Sequence, residues 1–492
     1  MSHRRRITVR VAGVCAVVAL ATTALLTGCA TTVDGRAVSP LYDPFHVAGL
    51  PALGGPSGPR PDAPKPVGKV VGGDGGDIDK LALLAVNDVE DFWSHNYAAP
   101  FEGNFRRVAR LVSYDADDPD APKVCGSSPY QVPNAFYCPR DRSIAWDRGV
   151  LLPIGQRYFG PMSVVGLVAH EYGHALQHMA GTVDDTSPPV VLEQQADCYA
   201  GVYLRWVAEG GSSRFQLSTA DGLSSVLAAL IAVRDPVLRP DDTDMLELGH
   251  GTALDRVSAF QMGFVDGTET CAAIDLREIE ERRGDLPMAL RAGPGGAVET
   301  GEAPINQNTL ATLMQALQQI YAPTRPPILS YRAAGCPDAQ ATAPVSYCPA
   351  TNTIAVDLPE LRKLGAPGSE RTDYVLVQGD NTALSIVVSR YALAVQHDRG
   401  LPLDTAVTAL RTACLTGVAQ RKLIEPRKLA SRDGLVLTAG DVDEAVAGLL
   451  TNGRVASDVD GVTVPAGFTR IVAFRSGLRD DGDGGICYRR FN

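Results

Sequence analysis

Apolar residues recur at helical spacing along residues 78–93, through Ile78, Leu81, Leu84, Ala85, Val89 and Phe92, directly after the breakers Gly75 and Gly76. The segments 106–115 (RRVARLVSYD) and 143–147 (SIAWD) carry short strand-like runs, with a cysteine-bearing loop between them. Pro161 suits the first turn of a helix that runs to about Ala180, where Gly181 can take the left-handed stop. A second helix is expected from Ser187, a cap ahead of Pro188 and Pro189, to just before Gly210 and Gly211. Further helical spacing covers 224–233 and 252–264. Strands and helices are segregated rather than alternating, which predicts an α+β domain dominated by helices with a small sheet.

The N-terminus has a different pattern. Arg4, Arg5, Arg6 and Arg10 precede an uncharged stretch from Val11 to Gly28, as in an export signal. Eighteen residues can just span a bilayer, so an uncleaved anchor is the competing reading. The stretch ends in Leu26-Thr27-Gly28-Cys29, which resembles a bacterial lipobox. That resemblance implies a signal peptide at 1–28, a lipid on Cys29, and a protein held at the extracytoplasmic face of the cell membrane. Residues 29–76 are rich in Pro and Gly and lack apolar periodicity, so a semi-extended tether is expected there.

A chain of 492 residues exceeds the usual size of one domain. The formal charge is −11, and it becomes −15 from Cys29 onward once the four arginines of the signal are set aside. Such a surface repels polyphosphates, so no nucleic-acid partner is expected. The second half echoes the first. YCPRDRSIAWD at 137–147 returns as YCPATNTIAVD at 347–357, AHEYGHALQHMAG at 169–181 as VSRYALAVQHDRG at 388–400, and DCYAGV at 197–202 as ACLTGV at 413–418. These repeats predict a tandem duplication: one domain at 77–286, a linker at 287–305, and a second copy at 306–492. With Cys15 in the signal and Cys29 reserved for lipid, eight cysteines remain. Equivalent bonds in two copies give the pairing Cys125–Cys138, Cys198–Cys271, Cys336–Cys348 and Cys414–Cys487.

The chemistry-bearing motif is His170-Glu171-Tyr172-Gly173-His174, inside the 161–180 helix. Residues four apart share a helix face, so His170 and His174 can aim two imidazoles at one metal ion, while Glu171 is rotated toward the water on it. Glu193 and Asp197 are also one turn apart on the next helix. Glu193 would complete three protein ligands to Zn2+ and leave a fourth position open, with Asp197 accepting the free N–H of a ligating imidazole. A mid-helix Gly173 implies close packing on its backbone. His250 or Tyr172 is expected to supply the donor that stabilises a tetrahedral oxyanion, though His250 also suits a capping or packing role at a helix start. His178, His95 and His46 show no ligand spacing.

AHEYGHALQ followed by EQQADCYAGVY resembles the neutral zinc metallopeptidases, with a gluzincin-type H-E-x-x-H plus E-x-x-x-D arrangement over about 78–275. CGSSPYQVPNAFYCPRDRSIAWD and HGTALDRVSAFQMGF look like further signatures of that family, whose lipid-anchored members are familiar in mycobacteria and their relatives. The resemblance implies a zincin-like fold and a zinc-dependent peptidase acting on peptide or protein, with Glu171 as general base. The second copy has Ser389, Arg390 and Leu393 opposite His170, Glu171 and His174, and Ala409 and Ala413 opposite Glu193 and Asp197. A degenerate, non-catalytic repeat is expected, available for packing, substrate selection or a protein partner. Two other functions fit the same residues: a non-catalytic envelope lipoprotein serving as a binding or scaffold module, and a zinc amidase acting on cell-wall peptide.

Overall fold

The computed structural model describes residues 39–491, except 40, 99–100, 185, 243, 333–334, 370–375, 425–434, 481 and 483. The signal stretch and Cys29 lie outside the described residues. Among the described residues no helix is long and apolar enough to cross a membrane.

The architecture is α+β. In the first half a four-stranded sheet runs Val70–Val71, Arg110–Tyr114, Ser143–Asp147, Ala135–Cys138 in spatial order, the first three parallel and the last an antiparallel edge. Ser143–Asp147 is buried throughout because both its faces are covered. Ile144 and Trp146 enter the main core, while Ala145 joins a small cluster with Val112 and Tyr114 on the other side. The strand ends at Asp147, whose buried carboxylate accepts from the main-chain N–H groups of Ala116, Gly149, Val150 and Leu151 and thereby starts the helix Leu151–Phe159.

Four longer helices accompany the sheet, Asp77–Asn96, Pro161–Ala180, Pro189–Ala208 and Ala253–Asp266; Pro161–Ala180 lies against the edge strand Ala135–Cys138, and the other helices build outward from it. Pro161 occupies the first helical position and Gly181 closes the helix in the left-handed region at φ 65°. The cap of the next helix is Pro188, not Ser187, whose hydroxyl engages Asp184 instead. Thr252 caps Ala253–Asp266 in a capping box with Asp255. Pro189–Ala208 and Ala253–Asp266 touch backbone to backbone: a Cβ on Gly263 would collide with the Cys198 carbonyl, and one on Gly201 with the Phe260 carbonyl.

The second half repeats this order. Ile328–Ser330 lies parallel to Thr353–Val356, which pairs antiparallel with Val345–Cys348. Asp380–Asp398, Ala406–Ile424 and Gly467–Leu478 follow, and Gly417 and Gly477 bring the last two together as Gly201 and Gly263 do in the first half. All four disulfides form as paired in the sequence analysis.

Two expectations are corrected. Of the supposed tether, residues 41–76 are docked onto the fold. Val47 is fully buried, Gly58–Pro59 pairs with Phe215–Gln216, Val70–Val71 joins the main sheet, and Thr219 caps the carbonyl of Pro51. Pro and Gly remove apolar periodicity, yet extended backbone satisfies its polar groups by pairing with strands of the folded body. Nor is 287–305 a free connection between separable domains, because Leu290 donates to Leu238 and Ile305 is buried. Pro40–Asn492 forms one compact unit with a continuous apolar core. Gln261 donates to the Phe468 carbonyl, Gly467 to the Ser224 hydroxyl and Leu254 to Asp443 across the two halves.

Candidate metal centre

The two adjacent helices Pro161–Ala180 and Pro189–Ala208 carry the candidate ligands. They approach closely because Gly173 has no side chain: a Cβ there would meet the Cα of Ala196 at 2.8 Å. His170, His174 and Glu193 each present one donor atom, and the three lie within 4.8 Å of one another. His170 Nε2 is 3.1 Å from Glu193 Oε2 and His174 Nε2 is 3.4 Å from Glu193 Oε1, with the imidazole rings nearly perpendicular. Both Nε2 atoms thus converge on the same carboxylate.

The opposite ring nitrogens are held. His170 Nδ1 lies 2.7 Å from Asp197 Oδ1, and His174 Nδ1 lies 3.0 Å from Gln177 Oε1. An acceptor at each Nδ1 places the proton there and leaves Nε2 as a lone pair, the form a metal needs. Gln177 is itself fixed by donating to the Leu192 carbonyl and to Gln195, which donates to the Ile274 carbonyl. The donor set therefore fits zinc: two imidazoles and one carboxylate, each braced from behind.

Asp197 is fully buried, and its charge is answered by a residue absent from the sequence analysis. Arg256, on Ala253–Asp266, grips it with Nε and Nη2 at 2.9 and 2.8 Å and donates through Nη1 to the Val233 carbonyl. Burial opposes ionisation of Asp197, but Arg256 and His170 overcome it and lower its pKa. Burial likewise disfavours charge on His170, yet Asp197 and Glu193 raise its pKa to about 10.

Glu171 is buried beside this centre. Burial raises its pKa, which the two histidines partly offset, and the Tyr137 main chain on the edge strand hydrogen-bonds it. Tyr172 is turned away from the ligands: it is fully buried, stacks on Phe105 and donates to Glu90. One residue of helical rotation from Glu171 carries it to the far face, so the expectation that it stabilises an oxyanion is withdrawn. His250 is at the rim, half exposed, with Nε2 3.7 Å from Glu193 and Nδ1 3.3 Å from Asp235. The Asp235 hydrogen bond raises its pKa. Capping is left to Thr252.

One turn beyond His174, a cavity of about 210 Å³ opens between Tyr137, His178, Arg106, Arg107 and Arg142. Arg107 is paired with Glu90 and Asp91. In the second half, Arg390, which aligns with Glu171 in the sequence echo, is buried and donates to the Val345 carbonyl and the Ser457 hydroxyl. Ser389 Oγ is bound to the Ile386 carbonyl, and Leu393, Ala409 and Ala413 offer no ligand atom.

Residues 42–274 match the model of a family described as "Putative neutral zinc metallopeptidase". Uncharacterized protein Rv2575 of Mycobacterium tuberculosis and uncharacterized protein Mb2605 of Mycobacterium bovis are each 28% identical over 175 residues, covering 31% of this chain and 59% of theirs. Uncharacterized protein YpfJ of Escherichia coli K12 is 25% identical over 206 residues, 38% of this chain and 68% of its own. The chain thus spans under two thirds of the length of the mycobacterial relatives it matches. No solved structure matches it.

Proposed function

We propose, from the match of residues 42–274 to the family model described as "Putative neutral zinc metallopeptidase", that this chain is a zinc-dependent endopeptidase whose centre is His170, His174 and Glu193. The observation that carries this is the convergence of two lone-pair Nε2 atoms and one carboxylate within 4.8 Å, with the buried Glu171 beside them. Bound zinc would supply a water of lowered pKa and polarise a carbonyl. Glu171 takes the proton of the attacking water and returns it to the leaving amine, and its raised pKa suits both steps. His250 donates from the rim to the carbonyl oxygen as negative charge gathers there.

A peptide substrate is supported by the sheet. Ala135–Cys138 is the edge strand next to the Pro161–Ala180 helix, so an extended chain can add to it and lie across the centre. The arginine-lined cavity one turn, about 6 Å, beyond His174 suits an acidic side chain one or two residues from the scissile bond. We also read the two halves as a tandem duplication in which Arg390 fills the place of the general base, and the N-terminus as a lipobox that anchors Cys29 at the extracytoplasmic membrane face.

The test is cleavage of a peptide library by the chain purified from residue 30 onward. Cleavage next to Asp or Glu is expected, with about one zinc per chain. Glu171→Gln and His250→Ala should retain zinc and lose turnover by about 10² or more. A Glu171→Gln protein of full activity would remove the base assignment, and a wild type that binds zinc without cleaving would favour a binding module.

A further inference from the structure

A second group of acidic side chains stands in the other half of the molecule, remote in sequence from the zinc ligands. Asp380 opens the helix Asp380–Asp398, Asp441 and Glu444 lie in the first turn of Asp441–Thr451, and Glu302 comes from the connection that precedes them. Asp380, Asp441 and Glu444 are 3%, 2% and 6% exposed, while Glu302 is exposed and opens the group to solvent.

Each carboxylate has one oxygen held by main-chain N–H. Ala303 donates to Asp380 Oδ2 at 2.7 Å, Thr438 to Asp441 Oδ2 at 2.5 Å, Asn381 to Glu444 Oε2 at 2.8 Å and Asp380 to Glu302 Oε2 at 3.1 Å. Oδ1 of Asp380 and Oδ1 of Asp441 are buried without a hydrogen-bond partner, and the two carboxyl groups lie within hydrogen-bonding reach of each other. Oε1 of Glu444 and Oε1 of Glu302 close over the Cα of Gly379, where a Cβ would collide with both. Gly379 has an extended backbone, so the space above it, not its φ, excludes a side chain.

Burial and mutual repulsion raise Asp441 to about 10 and Glu444 to about 9. Buried carboxylates gathered this closely are strongly unfavourable as bare charges, so protons or a cation stabilise the group.

We propose that Glu302, Asp380 and Glu444 bind one hard divalent cation, calcium in preference to magnesium, with the buried Asp441 carboxyl beside Asp380. One oxygen from each of Glu302, Asp380 and Glu444 lies within 4.8 Å of the others. Three protein carboxylates suit calcium, which takes about six to eight oxygen ligands, whereas magnesium keeps several waters and is usually held by one or two carboxylates. An all-oxygen set without nitrogen or sulfur disfavours zinc. The cation would join the starts of two helices to the connection between the halves. Asp443, on the same turn, accepts from Leu254 N at the head of the helix that carries Arg256, so the site braces the support of the zinc centre from outside. The proposal does not rest on peptidase activity.

The experiment is calorimetric titration of calcium chloride, and separately magnesium chloride, into the chain from residue 30 onward after removal of loosely bound metal, with melting temperature and zinc content followed in parallel. One calcium per chain is expected, with a dissociation constant on the order of 10⁻⁶–10⁻³ M, weaker magnesium binding and an upward shift in melting temperature. Glu444→Gln should lower calcium affinity at least tenfold and leave zinc content unchanged. If wild type shows no calcium heat and no melting shift up to 10⁻² M, the group is a shared-proton cluster and the proposal fails. The wild-type titration decides this even if the variant does not fold.

Discussion

At the scale of single residues, the centre rests on side chains that never touch the metal. Asp197 and Arg256 are fully enclosed, and each is the other's counter-charge. Removing one partner of such a pair leaves a bare buried charge, at a cost of about 3–5 kcal/mol. Arg256→Met is therefore expected to destabilise the chain by about that amount in denaturant unfolding. It should also weaken zinc binding about 10–100-fold in a competitive chelator titration, because Asp197 no longer fixes the His170 ring. An unchanged zinc affinity would reduce Arg256 to a packing role. His170, His174, Glu193 and Asp197 were legible because two pairs at i, i+4 can be read along a chain. Arg256 was not, since it lies 59 residues from its partner and arginine has no spacing signature of its own. Tyr172 was misplaced because a further turn of about 100° beyond Glu171 carries its side chain off the ligand face, so that its hydroxyl reaches Glu90.

At the scale of elements, glycine sets how near helices come. Gly263 rests on the Cys198 carbonyl, so Gly263→Ala must separate two helices or bend one. Overpacking of this kind costs about 1–3 kcal/mol. Gly448, in the interior of Asp441–Thr451, has open space at its Cβ position, and Gly448→Ala there should add about 0.5–1 kcal/mol. Thermal melts of the two variants should move in opposite directions; parallel shifts would mean that helix propensity, not contact, governs both sites. The long helices were legible because Pro161 and Gly181 mark the ends of one and apolar spacing runs through the others. Leu151–Phe159 was hidden by Pro153 and Gly155, residues that ordinarily break a helix. Leu276–Arg283 was hidden because a single buried residue, Ile279, shows no period.

At the scale of the whole molecule, the two halves share a core instead of resting side by side. Phe264 meets Phe468 with ring centroids 5.2 Å apart, and hydrogen bonds cross from Gln261, Leu254 and Gly467. A chain ended at residue 305 would expose that apolar surface. It is expected to lose cooperative unfolding and to bind a hydrophobic dye, as circular dichroism and fluorescence would read; a sharp melt from the truncated chain would show that the first half is self-sufficient. The internal echo of motifs was legible, because repeated segments can be aligned by eye. That the halves interlock was not, because helix faces carry no mark of which partner they will meet.

The strap at 41–76 brings one further consequence. Tyr42 sits edge-on to Phe491 at 5.4 Å, and the Arg490 guanidinium lies over the Tyr42 ring. The first and last described stretches of the fold therefore emerge side by side, so a label or fusion at the C-terminus will crowd the strap. Residues 42 and 491 could be spliced by a short loop and the chain reopened elsewhere, giving a permuted protein with the same interior and new ends of the experimenter's choosing.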